Sequence, residues 1–161
     1  MLPYLLLMAV FAAAAVLMPQ RRPNPIAWAF AYIVLVLFVG LRHKVGMDWN
    51  NYLYMIQFAG TGTLAEAMAY AEPAYAFLLW LSGQLGYGMY GVNLVAAVIV
   101  IHGVMKLARS TQEPWLALVV AMPVLITVVA MSANRQAVAI GLLLWLVATW
   151  EGSSLVRRVV F

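Results

Sequence analysis

The sequence predicts an all-α fold: a polytopic membrane bundle of about five spanning helices, with short amphipathic or re-entrant helices on its outer face. Three observations predict it. Of the 161 residues, 66% are hydrophobic and 9% charged, with a mean hydropathy of +0.96, whereas soluble domains carry about 25% charged residues. Several apolar runs approach the roughly 20 residues needed to cross about 30 Å of hydrocarbon. Runs such as 94–101 lack the apolar/polar alternation of membrane strands. In such a chain the net charge of +4 concerns sidedness, not nucleic acid. The absence of cysteine excludes disulfides and thiolate metal sites. His43 and His102 lie far apart without metal-ligand spacing, so neither a metal nor a cofactor is expected.

Residues 1–161 read as one transmembrane domain. Its first run, 2–18, has no basic n-region and no A-x-A site after it, so it reads as a retained helix, not a cleaved signal. The second span covers 26–41. An outer-face segment, 42–88, separates it from spans at 89–107, 114–131 and 137–150; the last is short unless its helix extends through Arg135. Within the outer segment, the run 73–85 is only about 20 Å long as a helix. It ends in SGQLGYGMYG, whose glycines disfavour an uninterrupted helix, so a re-entrant or interfacial helix fits it better than a span. His102 sits in an apolar helical pattern and reads as a core or interhelical hydrogen-bonding residue.

Five crossings with the N-terminus outside put Arg21, Arg22, Lys106, Arg109, Arg157 and Arg158 inside, and Arg42, Lys44 and Arg135 outside. Six crossings with the opposite orientation put Arg42, Lys44, Lys106, Arg109, Arg157 and Arg158 inside, again six against three, with Arg135 on the other side from Arg42. The Arg21–Arg22 pair in a tight first turn and the shortness of 73–85 favour five.

After Gly46 the pattern becomes amphipathic. Trp49, Tyr52, Leu53 and Ile56 recur at helical spacing, and Asp48 stands at the N-cap position. Thr63 and Glu66 form a capping-box pattern, followed by an apolar face of Leu64, Met68, Ala71 and Tyr75. Two short helices along the membrane surface result. Arg42 and Lys44 suit snorkelling anchors, and Glu72 before Pro73 suits a helix N-terminus, as does Glu113 before Pro114. Arg135 is different. It interrupts two apolar runs with no acidic neighbour in sequence, and an arginine at membrane depth costs roughly 2.5–3.5 kcal/mol by insertion scales. A functional role is expected there.

Three segments, LRHKVGMDWNNYLYM, AEPAYAFLLWL and SANRQAVAIGLLL, together resemble the EpsG family of bacterial polysaccharide proteins, related to Wzy-type polymerases of exopolysaccharide and O-antigen. Arg42, Gly46, Asp48 and Tyr52 match one family motif, Glu72, Pro73 and Tyr75 a second, and Arg135, Gln136 and Ala139 a third. The resemblance spans the chain but corresponds to the N-terminal half of a family member, and residues 159–161 read as the start of a further helix.

The resemblance implies a glycosyltransferase at the outer face of the bacterial cytoplasmic membrane. It would move a glycan from one undecaprenyl-diphosphate carrier to a sugar hydroxyl on another. Arg42 and Arg135, assisted by Lys44, would then hold diphosphate through paired donors. Glu72 is favoured as the base and Asp48 as an orienting group, with the reverse open. Tyr52, Tyr75, Trp49 and Gln136 would line a sugar site. Lipid and other polysaccharide-assembly proteins are the further partners expected. The rival readings are a transporter component for lipid-linked sugars, which predicts an inverted repeat not evident here, and a non-catalytic subunit.

Overall fold

The computed structural model describes residues 2–18, 22–46 and 48–150; Arg21, Arg157, Arg158 and the run 159–161 lie outside the described residues. The described residues are helical almost throughout and include no strand. Helices α1 (Leu2–Leu17) and α2 (Pro25–Gly40) come first. The start of α2 is set locally: Asn24 Oδ1 accepts from the Ile26 amide at 2.9 Å, and Pro25 occupies the first turn, where its missing N–H costs nothing. Three short helices follow: α3 (Trp49–Thr61), α4 (Leu64–Tyr70) and α5 (Pro73–Gln84). The capping box is formed, with Thr63 N donating to Glu66 Oε2 at 2.8 Å and Glu66 N to Thr63 Oγ1 at 3.3 Å. The glycine-rich stretch ends α5 as expected, through Gly86 and Gly88 in the left-handed region at φ +75° and +54°.

Helix α6 (Gly88–Ser110) is the axis of the bundle. Next comes α7 (Pro114–Ser132), in which Met122–Val129 is wound as a π-helix. Pro123 has no amide to close the α-helical ladder, and the wider turn accommodates that loss. After a break at Ala133, α8 runs over Asn134–Trp150, so the final helix does extend through Arg135. Among the described residues, α6 and α7 are long and apolar enough to cross a membrane; α1 and α2 are shorter apolar helices.

Helix α2 runs antiparallel to α6: Gly40 meets Leu94 at one end, and Arg109 lies over the Trp28 ring at the other, 5.7 Å from its centre. Helix α8 runs parallel to α6 on another side. There Gly103 and Gly141 bring the two backbones together, since a Cβ on either would strike main-chain atoms of the other helix. Helix α1 packs on α7, with Phe11 against Trp115, and its first turn meets α2 through an edge-to-face Tyr4–Phe38 contact at 5.5 Å. The buried core of this bundle includes Leu35, Val39, Val100, Ile101, Leu118 and Ile126. A second core, with Trp49, Tyr52, Ile56, Tyr75 and Leu79, joins α3–α5 to Met89 and Val92 in the first turns of α6.

Several local expectations are corrected. His102 is exposed and meets Tyr32 edge-on, with ring centres 6.4 Å apart. Its turn of α6 faces the open α2–α6 cleft, not the interior. Asp48 occupies the N-cap position, yet its side chain accepts no capping hydrogen bond because its backbone (φ −91°, ψ 5°) is not extended as a cap requires. Helix α4 buries Ala67, and Met68 is exposed. The small residue joins the buried cluster formed with α3 and α5.

Candidate functional site

The C-termini of α2 and α7 and the N-termini of α6 and α8 meet at one end of the bundle, beside α3–α5. Arg42, just past α2, is drawn inward there and is 5% exposed. Its Nη1 donates to the Ala130 carbonyl and its Nη2 to Asn134 Oδ1. Ala130 lies in the last turn of α7, whose carbonyls have no helical partner beyond the break. The guanidinium satisfies one of them while bonding the first residue of α8. Asn134 Nδ2 in turn donates to Asn93 Oδ1 on α6 at 2.7 Å. One chain of polar side chains thus ties α2, α6, α7 and α8 together. Burial pushes the Arg42 guanidinium below its ordinary pKa range, while Tyr52 and Tyr75 act the other way.

Arg135, next to Asn134, turns outward. Its Nη1 donates to Glu72 Oε1 at 2.9 Å and Oε2 at 3.2 Å, with the two side chains 48% and 64% exposed. The acidic partner that local sequence lacks comes from 63 residues away, at the head of α5. Glu72 is held below the usual carboxylate range, first by its own backbone amide and then by Arg135. Beneath the pair, Tyr52 and Tyr75 are buried with ring centres 6.1 Å apart. The Tyr75 phenol is pushed up by desolvation, with Arg135 and Arg42 acting weakly the other way.

This interior holds more polar groups than it pairs. Arg42 Nε, Tyr75 Oη, Asn93 Nδ2 and Trp49 Nε1 are buried without a protein hydrogen-bond partner. Each of these can donate a hydrogen bond, and native interiors leave few such groups unmatched.

Arg42, Tyr52, Glu72, Tyr75 and Arg135 are therefore brought together. Lys44 is exposed, with its backbone in the left-handed region at φ 52°. Asp48 is partly buried and Gln136 exposed. No hydrogen bond or ion pair joins these three to the cluster among the described residues. His43 anchors the loop: its Nδ1 lies 2.7 Å from the Tyr90 hydroxyl, and its ring meets Trp49 edge-on at 5.6 Å. Asn93 and the role of Asn134 escaped the sequence reading. Their signal was a lone amide within apolar surroundings, as in GVNLVAAV, where an unbonded amide is costly. The described residues contain no group of three His, Cys, Asp or Glu able to hold a metal ion.

Comparison with known proteins gives one family and no individual relative. No curated protein matches the chain. No solved structure matches it either. The EpsG family matches residues 26–157, a stretch that includes the Arg42 loop, the Glu72–Arg135 pair and all the buried amides between them. The chain belongs to the EpsG family.

Proposed function

We propose that this protein is a polysaccharide-polymerase-like glycosyltransferase acting on undecaprenyl-diphosphate-linked glycans at the outer face of the bacterial cytoplasmic membrane. EpsG membership and the apolar helices suggest a membrane protein of the polysaccharide-polymerase type. The observation that carries the finer reading is the Glu72–Arg135 pair, exposed above a buried cluster of unpartnered donors. Diphosphates and sugars are rich in acceptor oxygens, and such a donor surplus suits them.

In this reading α1, α2, α6, α7 and α8 are five crossings, and the Arg42 end of the bundle is extracytoplasmic. The contact between Arg42 and Asn134 supports the five-crossing topology, because a sixth crossing through α5 would separate Arg42 from α8's first turn. Arg135 is the diphosphate ligand and Arg42, already committed to Ala130 and Asn134, positions α8 beneath it. Lys44 adds positive charge at the rim, Tyr52, Tyr75 and Gln136 border the sugar, and Asp48 orients the Arg42 loop. When diphosphate takes over the Arg135 donors, Glu72 loses its ion pair and its carboxyl returns towards ordinary basicity. It then accepts the proton of the acceptor hydroxyl. The hydroxyl oxygen bonds to the anomeric carbon, the bond from that carbon to the diphosphate oxygen breaks, and Arg135 stabilises the charge left on undecaprenyl diphosphate.

Replacing Arg135 tests this. In cells that depend on the protein for long polysaccharide, Arg135→Ala should lower polymer formation by about 100-fold or more, with normal protein levels in the membrane. Arg135→Lys should fail as well, because a single ammonium cannot offer paired donors. A normal chain-length ladder from Arg135→Lys would favour the second reading, a non-catalytic assembly subunit in which Glu72–Arg135 is a structural pair. The buried bonds of Arg42 are the observation behind that alternative.

A further inference from the structure

At the opposite end of the bundle from the Glu72–Arg135 pair, a cavity of about 370 Å³ opens between α2 and α6. On α6 its lining includes His102, Lys106 and Arg109. Their spacing of four and then three residues puts them on one helical face. On α2 the facing residues include Trp28 and Tyr32. Lys106 and Arg109 are exposed, and no acidic residue lines the cavity. The nearest carboxylate in sequence, Glu113, precedes α7 and is outside the lining.

This arrangement differs from a row of solvated charges. Arg109 Cζ lies over the Trp28 ring, 5.7 Å from its centre, and His102 is edge-on to Tyr32 at 6.4 Å, so two of the three groups are positioned by aromatic partners. Arg109 lies in the last turn of α6, and Lys106 one turn before it. That is where the polar boundary of a bilayer meets a spanning helix. Further along, α2 and α6 expose Phe30, Ile33, Val95 and Val98, the kind of surface that takes acyl chains.

We infer that this cavity binds the phosphate headgroup of an anionic lipid in the leaflet opposite the candidate active site. Lys106 and Arg109 meet the phosphate, and His102 and the Tyr32 hydroxyl contact the glycerol region. Basic pockets between spanning helices recognise lipid headgroups in this way. The inference does not depend on the polymerase reading, since it concerns other residues and the other end of the molecule.

The test is native mass spectrometry of the full chain released from vesicles of equal phosphatidylglycerol and phosphatidylcholine. Wild-type protein should retain phosphatidylglycerol preferentially. Lys106→Gln should reduce that retention about fivefold, and Lys106→Gln/Arg109→Gln about 25-fold, from the attraction of each basic residue to an anionic surface. Lys106 is exposed and its side chain makes no hydrogen bond or ion pair among the described residues, so the single variant remains informative if the double variant unfolds. Equal retention of the two lipids by wild-type protein, or unchanged selectivity in folded Lys106→Gln, would overturn the inference. So would displacement of the lipid by millimolar inorganic phosphate, which would mean that a soluble anion is the ligand.

Discussion

The long-helix bundle and the α3–α5 cap share one device, glycines that bring backbones together, Gly103 with Gly141 in the bundle and Gly60 with Gly83 in the cap, and differ in what surrounds it. The bundle joins helices through apolar contact and close backbones: Leu35, Val100, Ile101 and Leu118 fill its centre, and Gly103 rests on Gly141. The cap contains short helices tied by side-chain hydrogen bonds: the local Thr63–Glu66 box, and two bonds between helices, Trp80 Nε1 to the Gly62 carbonyl at 3.2 Å and Gln84 Nε2 to the Gly60 carbonyl at 3.2 Å. The difference teaches where chemistry can sit. A bundle of spanning helices has little room for unpaired polar groups. Among the described residues the bundle core buries Trp115 Nε1 without a partner, whereas the seam between bundle and cap gathers several such groups, where Arg42, Asn134, Asn93 and Tyr75 cluster under Glu72–Arg135.

The comparison breaks most sharply at the bundle's glycines. Gly103→Leu drives a side chain into the Gly141 backbone, which has no flexible end to yield. Overpacking of this kind costs about 3 kcal/mol or more. Well-dispersed protein should largely disappear from detergent extracts on size-exclusion chromatography, and a normal monodisperse peak would contradict the α6–α8 packing.

Arg42→Met should come next. It leaves the Ala130 carbonyl and Asn134 Oδ1 without their donor in a buried setting, at about 1–3 kcal/mol for each group. Thermal unfolding in detergent should shift down, and proteolysis should increase first near the α7–α8 break. Stability equal to wild type would mean that Arg42 does not hold the seam.

Within the cap, Thr63→Ala removes half of the capping box and should cost about 1 kcal/mol. Its effect should be confined to faster hydrogen exchange in α4, with α6 protection unchanged. Loss of protection in α6 would show that cap and bundle unfold as one unit.

The smallest effect concerns Glu72. Its folded carboxyl is held below the ordinary glutamate value, so the pair's contribution is complete above that ordinary value and is lost as pH falls through the lower folded one. Because the pair is exposed, the change should be slight. Wild type should exceed Glu72→Gln in melting temperature at neutral pH, and the gap should close in acid. A gap that widened in acid would reverse the sign and exclude the ion pair as its source.

Much of the helical layout was legible because it rests on local chemistry. Thr63–Glu66, Glu72–Pro73 and Glu113–Pro114 mark helix starts within a few residues, and the glycines after Gln84 mark a stop. Arg135 stood out because a charge among apolar residues is costly wherever it is placed. Its partner was not legible as a partner: Glu72 had a local explanation beside Pro73. Asp48 misled for the converse reason, since residue type suits a cap but backbone angles decide whether one forms. His102 misled because periodicity shows that a helix has faces without saying which neighbour leaves one open.

The sequence by itself determined the helical class of the molecule, most helix positions and several helix starts, and the scarcity of charge that made a few residues conspicuous. These depend on composition and on interactions spanning a few positions. The tertiary structure alone decided that Arg42 turns inward to the end of α7 while Arg135 turns outward to Glu72, and that Asn93 and Asn134 connect the helices between them. Those contacts join residues 41 to 92 positions apart, and at such separations the packing of whole helices governs which side chains meet.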